Sequence, residues 1–187
     1  MQKVLAVEGG SFRKGVDRRV PSAFLFAEGI RPKRLIVKWV EVDGLDATER
    51  LKEAIREGEM KEGVVIAGSV PIAGFNLIDA REVLREFGLP TVFVLKERPD
   101  KDAVRSALMR HFKDWERRLE VIEAAGPVVE VVLAEGERIF IEAVGVNEAE
   151  AKKIVEGLTI FGKLPEPLRI ARMVARQLSR VIRSSMS

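Results

Sequence analysis

Apolar runs and turn signals alternate along the chain from its start. Lys3–Val7 closes on Glu8-Gly9-Gly10-Ser11, and Ser22–Ala27 closes on Glu28-Gly29. Arg34–Val42 alternates Leu35, Val37 and Trp39 against Ile36, Lys38 and Val40, and it stops at Asp43-Gly44. These are the marks of three strands, and no helix precedes them. A helix is predicted from Asp46, with Glu49 completing a capping box and Leu51, Ala54 and Ile55 on the buried face; Gly58 lies near its stop. Val64–Ala67 is apolar without alternation, as for a strand covered on both faces. After a loop over Gly68–Phe75, Asn76 is expected to cap a helix with Asp79 at its third position, and Leu77, Ala80, Val83, Leu84 and Phe87 follow at helical spacing to Gly88.

Pro90–Leu95 is a fifth strand. Pro99-Asp100 opens a helical pattern through Val104, Leu108 and Phe112, and a second runs through Trp115, Leu119 and Ile122. Val128–Leu133 and Ile139–Ala143 flank Ala134-Glu135-Gly136-Glu137 as a hairpin, Asn147 and Glu150 form another capping box, and a last helix runs from Leu168 to about Ile182. A meander of three antiparallel strands followed by two right-handed parallel crossovers is the ribonuclease-H-like topology, an α/β mixed sheet flanked by helices, here with an added C-terminal hairpin and helices. One domain over residues 1–187 is expected. In that sheet the first strand lies beside the fourth, so the residues after Val7 and Ala67 should be neighbours. Glu8, Asp43 and the Gly68–Phe75 loop should share one edge.

Composition narrows the chemistry. There is no cysteine, which excludes disulfides, thiolate catalysis and Cys-ligated metals, and the lone histidine, His111, excludes a multi-His site. No stretch approaches a membrane span, and Lys3–Val7 is too short for a signal-peptide core, so a cytoplasmic protein is expected. Charged residues make up 33%, a balance rich in Lys, Arg and Glu that follows the hyperthermophile trend. The net charge of +3 is uneven: from Ala151 onward eight basic residues face two acids. That excess points to a polyanionic partner at the C-terminal end, with nucleic acid first and a homo-oligomer left open.

Four acids fall at strand or helix ends: Glu8, Asp43, Asp46 and Asp79. Nucleases of this fold hold Mg²⁺ or Mn²⁺ on such carboxylates, so Glu8, Asp43 and Asp46 are candidate metal ligands and Asp79 a supporting acid. Each also has a structural reading, Asp43 as a turn residue and Asp46 and Asp79 as helix-start residues. Arg13, Lys14, Arg18 and Arg19 crowd the loop after the first strand. Arg169, Arg172, Arg176, Arg180 and Arg183 step along one face of the last helix. Ile170, Met173, Val174, Leu178 and Val181 are expected to pack that helix, leaving the arginines outward, with Arg172, Arg176 and Arg180 available to phosphates. Ser69 and Asn76 sit where the loop after the fourth strand would meet a nucleic acid. The loop lacks a Walker Lys-Ser/Thr ending and a Gly-x-Ser-x-Gly elbow, which excludes those two chemistries.

Val42-Asp43-Gly44-Leu45-Asp46-Ala47-Thr48 and Ala73-Gly74-Phe75-Asn76-Leu77-Ile78-Asp79, followed by Gly88-Leu89-Pro90, resemble the archaeal family that carries the name endonuclease dU. That family is similar in fold to endonuclease V, a Mg²⁺-dependent enzyme that nicks nucleic acid near deaminated bases. The resemblance implies a metal-dependent endonuclease acting on deoxyuridine or a similar base. This chain departs from it in two places: Glu8-Gly9 stands where an acidic pair is expected, and Ala67-Gly68-Ser69 stands where endonuclease V has an aspartate. The alternative is therefore a non-catalytic nucleic-acid-binding or assembly protein whose acid set has decayed. A small-molecule pocket near Gly74 and Asn76 rests on the glycines alone.

Overall fold

In the computed structural model, which describes residues 1–185, the three strands of the meander are β1 (Lys3–Gly9), β2 (Arg19–Glu28) and β3 (Arg31–Glu41). They are followed by α1 (Ala47–Glu57), β4 (Val64–Ala67), a small hairpin of β5 (Pro71–Ala73) and β6 (Asn76–Leu77), α2 (Ala80–Phe87) and β7 (Thr91–Leu95). Then come α3 (Lys101–His111), α4 (Trp115–Glu123), β8 (Val129–Val132), β9 (Arg138–Val144), α5 (Glu148–Leu158) and α6 (Glu166–Ser185). The main sheet runs β3-β2-β1-β4-β7-β9-β8. β1, β4 and β7 are parallel, with Val7 opposite Ala67 and Ala67 opposite Phe93. The remaining pairs are antiparallel, and the β8–β9 hairpin extends the sheet from β7. This is the expected ribonuclease-H-like order with its added hairpin.

Period-2 alternation splits the central strand between two cores. Leu5 and Val7 of β1 join Leu51 and Ile55 of α1, Val83 of α2 and Ala125 beyond α4 on one face. Val4 and Ala6 join Val155 of α5 and Leu168, Ala171 and Ala175 of α6 on the other. Burial on both faces explains why β1 and β4 read as unbroken apolar runs.

Two expectations are corrected. The helix predicted from Asn76 begins only at Ala80, capped by Asp79, whose carboxylate accepts from Arg81 N at 3.0 Å. Residues 71–77 form the β5–β6 hairpin instead, because Gly74 adopts φ +61 and closes a tight turn. In α6 the buried residues are Pro167, Leu168, Ala171, Ala175 and Ser179, with Ile170 and Val174 packed against the core as expected, while Met173 and Val181 stand exposed. Small side chains win that face because the helix lies close on the sheet: a Cβ on Gly10 would fall 2.2 Å from Ser179 Oγ and 3.0 Å from the Ala175 carbonyl oxygen.

Candidate functional site

The C-terminal ends of the parallel strands β1, β4 and β7 place Glu8, Gly68 and Lys96 along one edge, where ligands of open α/β sheets bind. Two polar clusters sit there, on opposite faces.

The first lies on the α6 side. Glu8, two residues beyond Ala6 on the same face, is buried, and its Oε1 accepts from Arg172 Nε at 3.0 Å and Nη2 at 2.7 Å. Burial pushes the Glu8 carboxyl up from its ordinary range, against the pull of Arg172, Arg176 and Lys96. A Cβ on Gly68 would lie 2.2 Å from Glu8 Oε1 and 2.6 Å from Arg172 Nη2, so the ion pair fills the space a side chain at 68 would need. Arg172 was expected to face outward; it turns inward, where its guanidinium bonds the buried Glu8 carboxylate.

The second cluster joins the end of β3, the start of α1 and the β5–β6 hairpin. Asp43 adopts φ 59; its N–H donates to Ala73 O and its Oδ1 accepts from Phe75 N at 2.8 Å. Asn76 is fully buried: Oδ1 accepts from Ala47 N at 2.8 Å, and Nδ2 donates to Glu41 O at 2.8 Å and to Asp46 Oδ1 at 2.6 Å. Asp46 also accepts from Glu41 N and from Arg50 Nε. The Asp46 side chain therefore makes no capping bond to α1; Asn76, from another strand, satisfies the helix's first N–H. Arg118 of α4 locks the cluster by donating to the Gly44 and Phe75 carbonyls at 3.0 and 2.7 Å. Burial pushes Asp79 up, but the bonded Arg81 guanidinium outweighs it and the carboxyl lies below its ordinary range.

Glu8 thus belongs to one face, and Asp43 and Asp46 hold the hairpin and α1 from the other. Among the described residues no three Asp, Glu or His side chains are grouped as around one metal. The acids present do not fit a shared Mg²⁺ or Mn²⁺, since Asp46 is committed to local donors through both oxygens, Asp43 through Oδ1, and Glu8 to an arginine.

The basic loop after β1 is exposed, with Arg13 bonded to Asp17 and Arg19, already in β2, bonded to Glu41; Lys14 and Arg18 face solvent. Ser69 donates to Pro71 O at 2.5 Å. Arg176 and Arg180 are exposed on α6, and His111 is exposed at the end of α3. An apolar cleft of about 230 Å³ opens between the end of β7, β9 and helices α3 and α4, lined by Ser69, Phe75, Leu95, Val104, Leu119 and Glu142. The sequence reading missed Lys96, Arg118 and Glu142. Arg118 lies in a mostly charged run, Glu116 to Glu120, that hides its buried role, and Glu142 lies in an apolar strand; Lys96 follows a parallel strand directly, a position that could have singled it out.

The sheet order and the strand ends define a protein of the ribonuclease-H-like fold. The chain belongs to the endonuclease dU family, whose model matches residues 2–179. It is 31% identical to a UPF0215 protein of Pyrococcus furiosus over 95% of this chain and 92% of that one. A protein of unknown function from Archaeoglobus fulgidus superposes with TM-score 0.83 at 30% identity, over 95% of this chain and 98% of the other. The fold is also that of Ciona intestinalis endonuclease V in complex with a 23mer DNA containing an inosine, with TM-score 0.60 and 15% identity over 96% and 85% of the two chains. Among the described residues no helix is long and apolar enough to cross a membrane.

Proposed function

We propose that this protein acts on nucleic acid carrying a deaminated base such as deoxyuridine, and that it captures the strand rather than cutting it with metal. The observation that carries this reading is the Glu8–Arg172 pair, which puts a guanidinium where a metal-binding carboxylate set would need room for an ion. Phosphates would run along the exposed arginines of α6 and the basic loop of Arg13, Lys14, Arg18 and Arg19. An extruded base would enter the cleft beside Ser69, against Phe75 and Leu95.

Cleavage is the second reading, favoured by the family match over residues 2–179. It would use Glu8, Asp43 and Asp46 for Mg²⁺ and Asp79 in support, each after leaving its present partners. Incubating a deoxyuridine-containing oligonucleotide with the protein in EDTA and in Mg²⁺ or Mn²⁺ separates the two. Salt-sensitive binding in both buffers without nicking supports capture. Metal-dependent nicking abolished by Glu8→Gln makes cleavage the function, and no binding in either buffer removes both.

A further inference from the structure

Three cations stand at the end of the sheet where Glu8 is buried. Arg172 is bonded to Glu8, Arg176 lies one turn further along α6, and Lys96 directly follows β7, a parallel strand beside β4. Among the described residues neither Lys96 nor Arg176 forms a salt bridge, whereas neighbouring Lys163 pairs with Glu137 and Arg169 with Glu166. One carboxylate, bonded to Arg172, and two further cations thus share the same end of the parallel strands. Partial burial, then repulsion from Arg172 and Arg176, holds the Lys96 ammonium below its ordinary range, which an incoming anion would reverse.

We propose that Arg172 stands in for a divalent metal here and that Lys96, Arg172 and Arg176 together hold one phosphate group of a nucleic-acid strand without any metal ion. This rests on the nucleic-acid reading above and names its ligand group. Glu8 serves as a positioning residue: it takes Nε and Nη2 of Arg172, fixing the guanidinium plane, and leaves Nη1 outside those two bonds. A flexible side chain at 68 would displace the pair, so glycine is part of the site.

The test titrates a fluorescent single-stranded oligonucleotide containing one deoxyuridine, and separately inorganic phosphate, into the protein in EDTA and in Mg²⁺ at matched ionic strength. Lys96→Gln/Arg176→Gln, altering two exposed positions, is the variant, with its thermal melt recorded as a check on folding. Wild-type affinity is expected to be equal in the two buffers. The variant should bind the oligonucleotide at least about tenfold more weakly, with a salt slope smaller by about 0.7, the contribution of one single-strand phosphate contact. Oligonucleotide binding unchanged in the variant overturns the inference and leaves the nucleic-acid reading standing. Phosphate binding that the variant loses, with no oligonucleotide bound by either protein, keeps the site and removes the nucleic-acid reading. One tightly bound Mn²⁺ per wild-type chain by electron paramagnetic resonance, lost in Glu8→Gln, overturns the substitution of arginine for metal.

Discussion

Asn76→Leu removes the side chain that ties three elements at one buried point. Asn76 has no exposed surface, and its amide bonds Ala47 N, Glu41 O and the Asp46 carboxylate. Leucine is of similar size, so the loss is one of hydrogen bonds more than of volume. Two bonds to backbone groups contribute about 1 kcal/mol each and the bond to a carboxylate about 1.5–3, while the Ala47 N–H is left without its acceptor; the expected cost is about 3–5 kcal/mol. For a chain of this length that lowers the melting temperature by on the order of 10 °C. Asn76→Asp should cost more at neutral pH, because an oxygen then faces the Glu41 carbonyl and the Asp46 carboxylate where a donor stood. Urea unfolding monitored by circular dichroism measures both. A loss below about 1 kcal/mol at unchanged denaturant slope would refute the reasoning, since it would mean the buried amide is not what holds α1 to the hairpin.

Gly10→Ala should destabilise by about 1–3 kcal/mol, and Ser179→Ala should restore only part, because the added methyl still meets the Pro21 and Ala175 carbonyls; the same urea titration reads both. Gly68→Ala should split the Glu8–Arg172 pair and cost about 3 kcal/mol, the lower end of what breaking a buried pair costs, visible as a lower denaturation midpoint. Glu142 is buried and forms no ion pair among the described residues, and its carboxyl is pushed up by burial. A carboxyl whose pKa is raised on folding holds its proton more tightly in the folded state, so stability is full below the unfolded value near 4.5 and falls as pH rises through the folded one. Glu142→Gln should therefore raise the melting temperature at pH 7 and lose that advantage near pH 4; an equal gain at both would rule out the titration.

Strand order was legible because burial forces it into the pattern: the unbroken runs of β1 and β4 mark central strands, and the short early connections demand antiparallel partners. The β5–β6 hairpin was not legible, because Asn76 followed by Asp79 is also a good helix-start signal. What separates the two outcomes is Asp43, 32 residues earlier, which binds Phe75 N and draws the segment into a turn. Asp46 misled in the same way. Local spacing offers it Glu49 as a capping partner, but Asn76, 30 residues away, donates to it at 2.6 Å, a bond that no local window of the sequence contains. The Arg stripe of α6 was visible as a stripe. Its inward member was not, since the choice between Arg172 and its neighbours depends on Glu8, 164 residues away.

Glu8, Gly68 and Arg172 are better understood as one feature than as separate changes. A carboxylate added at 68 would have to occupy the space the guanidinium fills, and it would put a second acid beside Glu8 with no cation between them. Removing Arg172 alone would leave Glu8 buried without its hydrogen-bonded partner, a loss larger than the pair itself contributes. Each residue therefore makes the metal-free arrangement harder to leave by a single change. On the capture reading proposed above, arginine at this turn of the last helix supplies a cation that neither EDTA nor the supply of Mg²⁺ can remove.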